Sequence, residues 1–359
     1  MKKLRVGVLG ATGMVGQKFL QLLENHLWFE VVALAASPQS AGKKYDVAVI
    51  GRWAMDTLIP KEIKKLKILA VEKDMKEIAG QVDFVFSALD MEKEEIKRIE
   101  DAYAALDVPV ISNNSAHRWT GDVPMIIPEV NPEHSALIDL QRKHHGWKKG
   151  FVAVKPNCSI QCYVPLLHAL KDFGLETISV STYQAISGAG KTFKTWPEMM
   201  DNVIPFIGGE EKKSEEEPLK VWGALVGGEL KIAKKPTISA TCIRVPVTNG
   251  HMASVAVKFK KRPTREEILL AWKKFPNPLM KMTLPSAPKD FLHYFEEDNR
   301  PQTKLDRDIN NGMTISVGRL REDPLFHWKF VALSHNTARG AAGGAILLAE
   351  LLVKQQYIK

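Results

Sequence analysis

Residues 10–16 read Gly-Ala-Thr-Gly-Met-Val-Gly, and no other stretch restricts the possible folds as strongly. The apolar run Arg5–Leu9 (RVGVL) precedes it, and Met14–Leu23, with apolar residues at helical spacing, follows. A strand that enters a helix through three glycines bends tightly and lets a ligand approach the backbone closely. The helix N-terminus then points its unpaired N–H groups at an anion. The spacing is GxxGxxG rather than the commoner GxGxxG, but the physics is shared. Gly10, Thr12, Gly13, Met14, Val15 and Gly16 are therefore expected to cradle the pyrophosphate of a dinucleotide.

Glu30–Ala36 (EVVALAA), Val82–Ala88 (VDFVFSA) and Val108–Asn113 (VPVISN) read as further strands, with a helical stretch Lys93–Leu106 between the last two. This alternation predicts a parallel, doubly wound sheet. The second strand ends in Ala35–Lys44 (AASPQSAGKK), which offers no Asp or Glu for a ribose 2′-hydroxyl. Ser37, Ser40, Lys43 and Lys44 suit a 2′-phosphate instead, so NADP is expected rather than NAD.

The texture changes after about residue 150. Phe151–Val154 leads to Pro156-Asn157-Cys158 and an apolar helical stretch to Leu170. Longer, more alternating strand runs follow at Thr177–Ala185, Ile238–Val247, Ala253–Phe259 and Thr314–Arg319, which suits a mixed sheet. Glu210–Glu217 reads as an exposed loop or helix start, and Ala338–Val353 as a closing apolar helix. A chain of 359 residues is long for one core, so two domains are expected.

The composition, 45% hydrophobic and 25% charged, argues against disorder. The formal net charge is +9, yet Lys and Arg are scattered and no nucleic-acid module is visible, so an anionic small molecule is the expected partner. No apolar run is long enough to span a membrane. The first residues read as a strand rather than a signal peptide, and three cysteines make no disulfide framework, so a cytoplasmic setting is expected.

Cys158 lies in Lys155-Pro-Asn-Cys-Ser159, at a strand-to-helix turn. A helix N-terminus there would lower the thiol pKa, and Asn157 offers an amide to a developing oxyanion. Cys162 and Cys242 read as core, and no Cys/His spacing suggests a metal. A thiol nucleophile needs an acid/base partner. Among ten histidines, His251 stands out, just after Gly250 and seven residues from Arg244, which could hold a carboxylate.

The segments GATGMVG, FSAL, SNNSAHRW with DVPMIIPEVNP, PNCS, QAISGAG, RVPVTNGH and SHNTARGAAGG occur in this order between Val6 and Leu352. Together they resemble the aspartate-semialdehyde dehydrogenases of the branch shared by archaea, fungi and some bacteria. The resemblance implies a Rossmann-type NADP-binding domain, residues 1–155, completed by a C-terminal helix at 336–359. It implies an α/β catalytic and dimerisation domain at 156–335, in a homodimer or homotetramer. Cys158 would be the nucleophile, His251 the general acid/base, and Gln184 would orient the acyl group. Arg244 would hold a carboxylate, Glu217 an α-ammonium, and Lys220 with Arg118 a phosphate. Ser87, Ser187, Gly188 and Asn336 would line the cofactor. Ile160 replaces the family's usual Thr after PNCS, and Pro38-Gln39 replaces a Glu-Arg-like pair near the 2′-phosphate. The implied reaction is NADPH-dependent reduction of aspartyl-4-phosphate through a cysteine thioester, with a malonyl-CoA reductase as the alternative on the same scaffold.

Overall fold

A computed structural model describes residues 2–359. The first six strands are β1 (Leu4–Leu9), β2 (Phe29–Ala36), β3 (Ile68–Ala70), β4 (Phe84–Ser87), β5 (Val110–Ser112) and β6 (Val152–Val154). They form one sheet in the order β3-β2-β1-β4-β5-β6, every pair parallel. The order reverses between β1 and β4, and in such sheets ligands bind beyond the strand ends at that switch point. Val6, Val8 and Leu9 are buried because helices cover both faces, which is why β1 reads as a continuous apolar run. The expected strands are present within a residue or two, but β3 was too short to be read.

The second sheet contains β7 (Leu175–Gln184), β10 (Thr237–Arg244), β11 (His251–Phe259), β12 (Leu292–Phe295), β13 (Ile315–Glu322) and β14 (Trp328–Ser334). Its order is β10-β7-β11-β14-β13-β12 and its pairing is mixed. Burial alternates along β7 and β11, so one face is covered and the other half-open. A small hairpin, β8 (Ala224–Val226) with β9 (Glu229–Lys231), lies apart.

Two helical expectations are corrected. The apolar stretch after Cys158 is not one helix. Ser159–Cys162 makes a single tight turn and Val164–His168 a short helix with Pro165 in its first turn. Proline lacks the N–H that would continue the preceding turn, so it starts a new element. The segment from Ala338 is also interrupted. Ala338–Ala342 forms a wide irregular turn with Ala341 at φ −140°, ψ −108°, and the regular helix begins at Gly343.

Four helices carry the argument: α1 (Met14–Leu23), α2 (Lys93–Ala105), α3 (Glu210–Val221) and α4 (Gly343–Lys354). Every residue of α4 from Gly343 to Leu352 is buried. Its Ile346, Leu347, Leu348 and Leu351 share a core with Val6, Val8, Phe19 and Ile111, so the C-terminal helix packs on the N-terminal sheet. No helix among the described residues is long and apolar enough to cross a membrane.

Candidate active site

The glycine turn is a backbone structure. Gly10 has φ +81°, and a Cβ there would lie 2.2 Å from the Ala88 carbonyl oxygen. A Cβ on Gly16 would lie 2.2 Å from the Gly10 oxygen, so neither position accepts a side chain. Gly13 is different: its nearest neighbour would be 3.5 Å away, and its role is to open α1 without a side-chain cap. With no acid in the first turn either, the N–H groups of α1 face an anion site unopposed. The Tyr45 hydroxyl donates to the Ala11 carbonyl at 2.9 Å and Gln17 Nε2 to the Thr12 carbonyl at 3.0 Å, which fixes the turn. Thr12, Met14 and Val15 keep partial exposure beside it. Ser37 and Lys43 are exposed past the end of β2, whereas Ser40 is buried in the turn that Ser37 begins. The glycine cradle and the cationic end of β2 fit a dinucleotide carrying an extra phosphate.

Four other expected cofactor residues are placed less simply. Ser87 is fully buried and accepts a hydrogen bond from Asn114 Nδ2 at 3.0 Å, within a cluster around Glu100 on α2. Asn336 donates from Nδ2 to Ser187 Oγ at 2.9 Å and accepts the Gly250 N–H at 2.8 Å, so its amide ties two loops together. Gly188 stands where a Cβ would come within 3.0 Å of both Arg244 Nη1 and the His251 ring. The missing side chain permits their close approach.

Cys158 follows β6 through Lys155-Pro156-Asn157 and stays partly exposed. Gly340 passes so close that a Cβ there would lie 2.9 Å from Cys158 Cβ. Burial pushes the thiol up to about 11, and Glu210 adds to the rise, while Lys155, Arg118 and Arg244 oppose it. The expected helix-dipole effect does not overcome this, because the following element is one short turn. His251 opens β11 and is fully buried. Its Nδ1 accepts the Ala185 N–H at 3.1 Å, and its Nε2 has no partner. Burial, then Arg244, holds the ring down to about 3, so it is neutral. A neutral imidazole that accepts at Nδ1 carries its proton on Nε2. As arranged, it can donate at Nε2 but cannot take the thiol proton there. The neutral ring thus offers a hydrogen bond from Nε2 rather than a proton for transfer.

The acid that faces this centre is Glu210, which the sequence reading left in an exposed stretch. In α3 the residues Glu210, Ser214, Glu217, Pro218, Lys220 and Val221 are buried. Glu210 accepts from Gln184 Nε2 at 3.0 Å, from Asn157 Nδ2 at 3.0 and 3.1 Å, and from Lys213 Nζ at 2.7 Å. Burial raises its pKa, but Lys213 and the amides of Gln184 and Asn157 more than reverse this and hold it below the ordinary carboxylate range.

The expected pair Glu217 and Lys220 lies about two and three turns further along α3. Glu217 bonds Arg118 Nη1 at 2.9 Å and the Asn157 N–H at 2.6 Å, so both oxygens are engaged. Lys220 Nζ donates to the carbonyls of Arg118, Thr120 and Val123, which makes it a buried clamp rather than a free phosphate ligand. Both residues are engaged within the protein in this structure. Asn157 turns its Nδ2 to Glu210, and its Oδ1 accepts from Ser159 N and Oγ. Arg118 also donates to the Lys155 and Asn113 carbonyls, and Arg244 donates to the Ala185 carbonyl at 2.7 Å beside His251. The signal for Glu210 was present in the spacing 210, 214, 217, 221, a helical face hidden by the density of charge.

Comparison with known proteins fits this arrangement. The family model described as semialdehyde dehydrogenase, NAD binding domain, matches residues 5–138, and the one described as semialdehyde dehydrogenase, dimerisation domain, matches 165–339. An aspartate-semialdehyde dehydrogenase of Archaeoglobus fulgidus is 45% identical over 98% of this chain and 99% of its own. The chain belongs to the aspartate-semialdehyde dehydrogenase family. The Aspergillus fumigatus relative is 42% identical over 99% of both chains. The crystal structure of the Candida albicans aspartate-semialdehyde dehydrogenase with NADP superposes with a TM-score of 0.88, at 36% identity, covering 99% of this chain and 100% of that one. The family is one of oxidoreductases, and both halves of this chain take part in its fold.

Proposed function

We propose that this chain reduces aspartyl-4-phosphate to aspartate 4-semialdehyde with NADPH, releasing phosphate. The observation that carries the reading is the convergence of Cys158, His251, Arg244 and a carboxylate, Glu210, beyond the glycine turn. Residues 1–155 with 336–359 form the NADP-binding unit, and 156–335 the catalytic and dimerisation unit of a cytoplasmic homodimer or homotetramer.

The Cys158 thiolate attacks the acyl carbon, the C–O bond to phosphate breaks, and a thioester forms. Arg244 holds the α-carboxylate and Gln184 the acyl end. Glu210 meets the α-ammonium, a charge that a pocket holding Arg118, Lys213 and Arg244 would otherwise repel. Arg118 and Lys213 receive the phosphate, and a cavity lined by Lys93, Lys212 and Lys213 adjoins them. The 10–16 turn, with Ser37 and Lys43 toward the 2′-phosphate, would hold NADPH, which when bound would supply a hydride for reduction of the thioester. His251 gives a hydrogen bond from Nε2 to the sulfur, which departs as the thiolate. An acid for an ammonium has no use in malonyl-CoA reduction, and the full-length relatives named above are aspartate-semialdehyde dehydrogenases. The test is phosphate-dependent NADP reduction with aspartate semialdehyde, against malonate semialdehyde plus CoA. Turnover of the second pair alone would overturn the proposal.

A further inference from the structure

Asn114 follows β5 by two residues and is half-buried beside the end of β4. Every N–H it carries is engaged within the protein. Its backbone N–H donates to Ser112 Oγ at 3.1 Å, and its Nδ2 donates to Ser87 Oγ and to Glu100 Oε1, each at 3.0 Å. Ser112 Oγ in turn donates to Glu100 Oε1 at 2.7 Å. Glu100, on α2, is fully buried among these groups. Its Oε1 acts as an acceptor, so it decides which way the amide faces: a turned Asn114 would set one acceptor oxygen against another. Asn114 Oδ1 is thereby turned away from the cluster, and it stays open and accepts from no group among the described residues.

Asn114 also stands between the two halves of the site. Ser87 ends β4, and the next N–H, that of Ala88, donates to the Leu9 carbonyl at 2.8 Å, directly before the glycine turn. On the other side the Ser112 carbonyl accepts the Lys155 N–H at 3.0 Å, shortly before Cys158. A dinucleotide with its pyrophosphate on the 10–16 turn and its nicotinamide at Cys158 has to cross the ends of β4 and β5. The part that joins pyrophosphate to the ring is a ribose, and its hydroxyls are donors that need an acceptor.

We propose that Asn114 is a cofactor-binding residue whose Oδ1 accepts a hydroxyl of the ribose next to the nicotinamide, and that Glu100 is the positioning residue that turns the amide that way. The proposal rests on the reading of residues 10–16 as a dinucleotide site. It also gives a use to Glu100. A fully buried carboxyl is costly to keep, and both hydrogen bonds to Glu100 Oε1 come from groups at and just after the end of β5.

The test is titration calorimetry of the wild type, Asn114→Ala and Glu100→Gln with three ligands. NADPH is the whole cofactor, 2′-phospho-ADP-ribose has the second ribose without the ring, and 2′,5′-ADP has neither. Asn114→Ala should bind NADPH and 2′-phospho-ADP-ribose about three- to tenfold more weakly, the worth of one hydrogen bond, and 2′,5′-ADP within about twofold of the wild type. Glu100→Gln keeps the shape but offers the amide a donor as well as an acceptor, so Asn114 can face either way. The same two ligands should weaken by about two- to threefold, with 2′,5′-ADP again unchanged. Equal losses for all three ligands in Asn114→Ala would show a general disturbance of the domain and overturn the proposal, as would NADPH binding at wild-type strength. If only NADPH weakened, the contact would be to the ring and the ribose assignment would fall. Unaltered NADPH binding in Glu100→Gln overturns the positioning role. Should Asn114→Ala fail to fold, the ligand pattern of Glu100→Gln decides by itself. A wild type that binds none of the three overturns the dinucleotide site, and the proposal with it.

Discussion

The cofactor turn and the catalytic centre are built in opposite ways. The turn consists of seven consecutive residues, and its working parts are backbone: two positions that accept no Cβ and a row of helix N–H groups. The catalytic centre consists of side chains from β7, α3, β10, β11 and the segment after β6, up to 93 residues apart between Cys158 and His251. Each depends on a partner from another segment, as Glu210 depends on Asn157 and Gln184. A backbone site is fixed by where side chains are missing, whereas a side-chain site is fixed by what lies opposite each group. The first should fail by steric intrusion and the second by loss of charge or of a bond.

The largest effect should come from the catalytic side. Cys158→Ala should lower kcat by at least about a thousandfold, with NADPH affinity, read by fluorescence titration, within twofold of the wild type. Cys162→Ala should stay active, since that thiol donates to the Ser159 carbonyl in the core. Next comes Glu210 against Glu217. A charge-assisted hydrogen bond is worth about 1.5–3 kcal/mol, or roughly one to two decades in kcat/KM. Glu210→Gln should lose that much with aspartate semialdehyde and little with succinate semialdehyde, which lacks the amine. Glu217→Gln should instead lower Tm, because it frees a buried Arg118. Equal kinetic losses with both substrates in Glu210→Gln would remove the ammonium from its role.

On the cofactor side, Gly16→Ala should weaken NADPH binding or stability by about 1–3 kcal/mol through overpacking, while Gly13→Ala, with room for a methyl, should cost a few tenths at most. Similar losses at both positions would show that flexibility rather than space governs the turn. The smallest expected effect is a missing one. With its pKa near 3, His251 stays neutral from pH 5 to 8. The free-enzyme profile of kcat/KM should show no inflection near 6.5 that vanishes in His251→Gln. Activity should instead climb with pH as the Cys158 thiol ionises.

The same contrast decides what could be read from the sequence. The parallel sheet and its glycine turn were legible, and Cys158 and His251 could be singled out as candidates, because short apolar runs, glycines and a few rare residues carry them locally. The three residues of β3 were too few to show a period. Glu210 was hidden because eight charged residues crowd one helix, and only tertiary packing tells the buried face from the wet one. The resemblance points to Glu217 and Lys220 as substrate ligands, and Glu210 and Lys213 repeat the same spacing seven residues earlier. What separates the pairs is the set of carbonyls opposite Lys220, which no local pattern encodes.

The position of α4 has a consequence for the order of events at synthesis. The helix that fills the core under β1 and β5 is encoded in the last residues of the chain, while the sheet it covers is encoded in the first. As the chain emerges from the ribosome, the N-terminal sheet must wait, one apolar face uncovered, until the whole catalytic half has been made. A stop codon a dozen residues early would therefore leave the reacting cysteine and its neighbours encoded, yet strip the nucleotide-binding half of its floor.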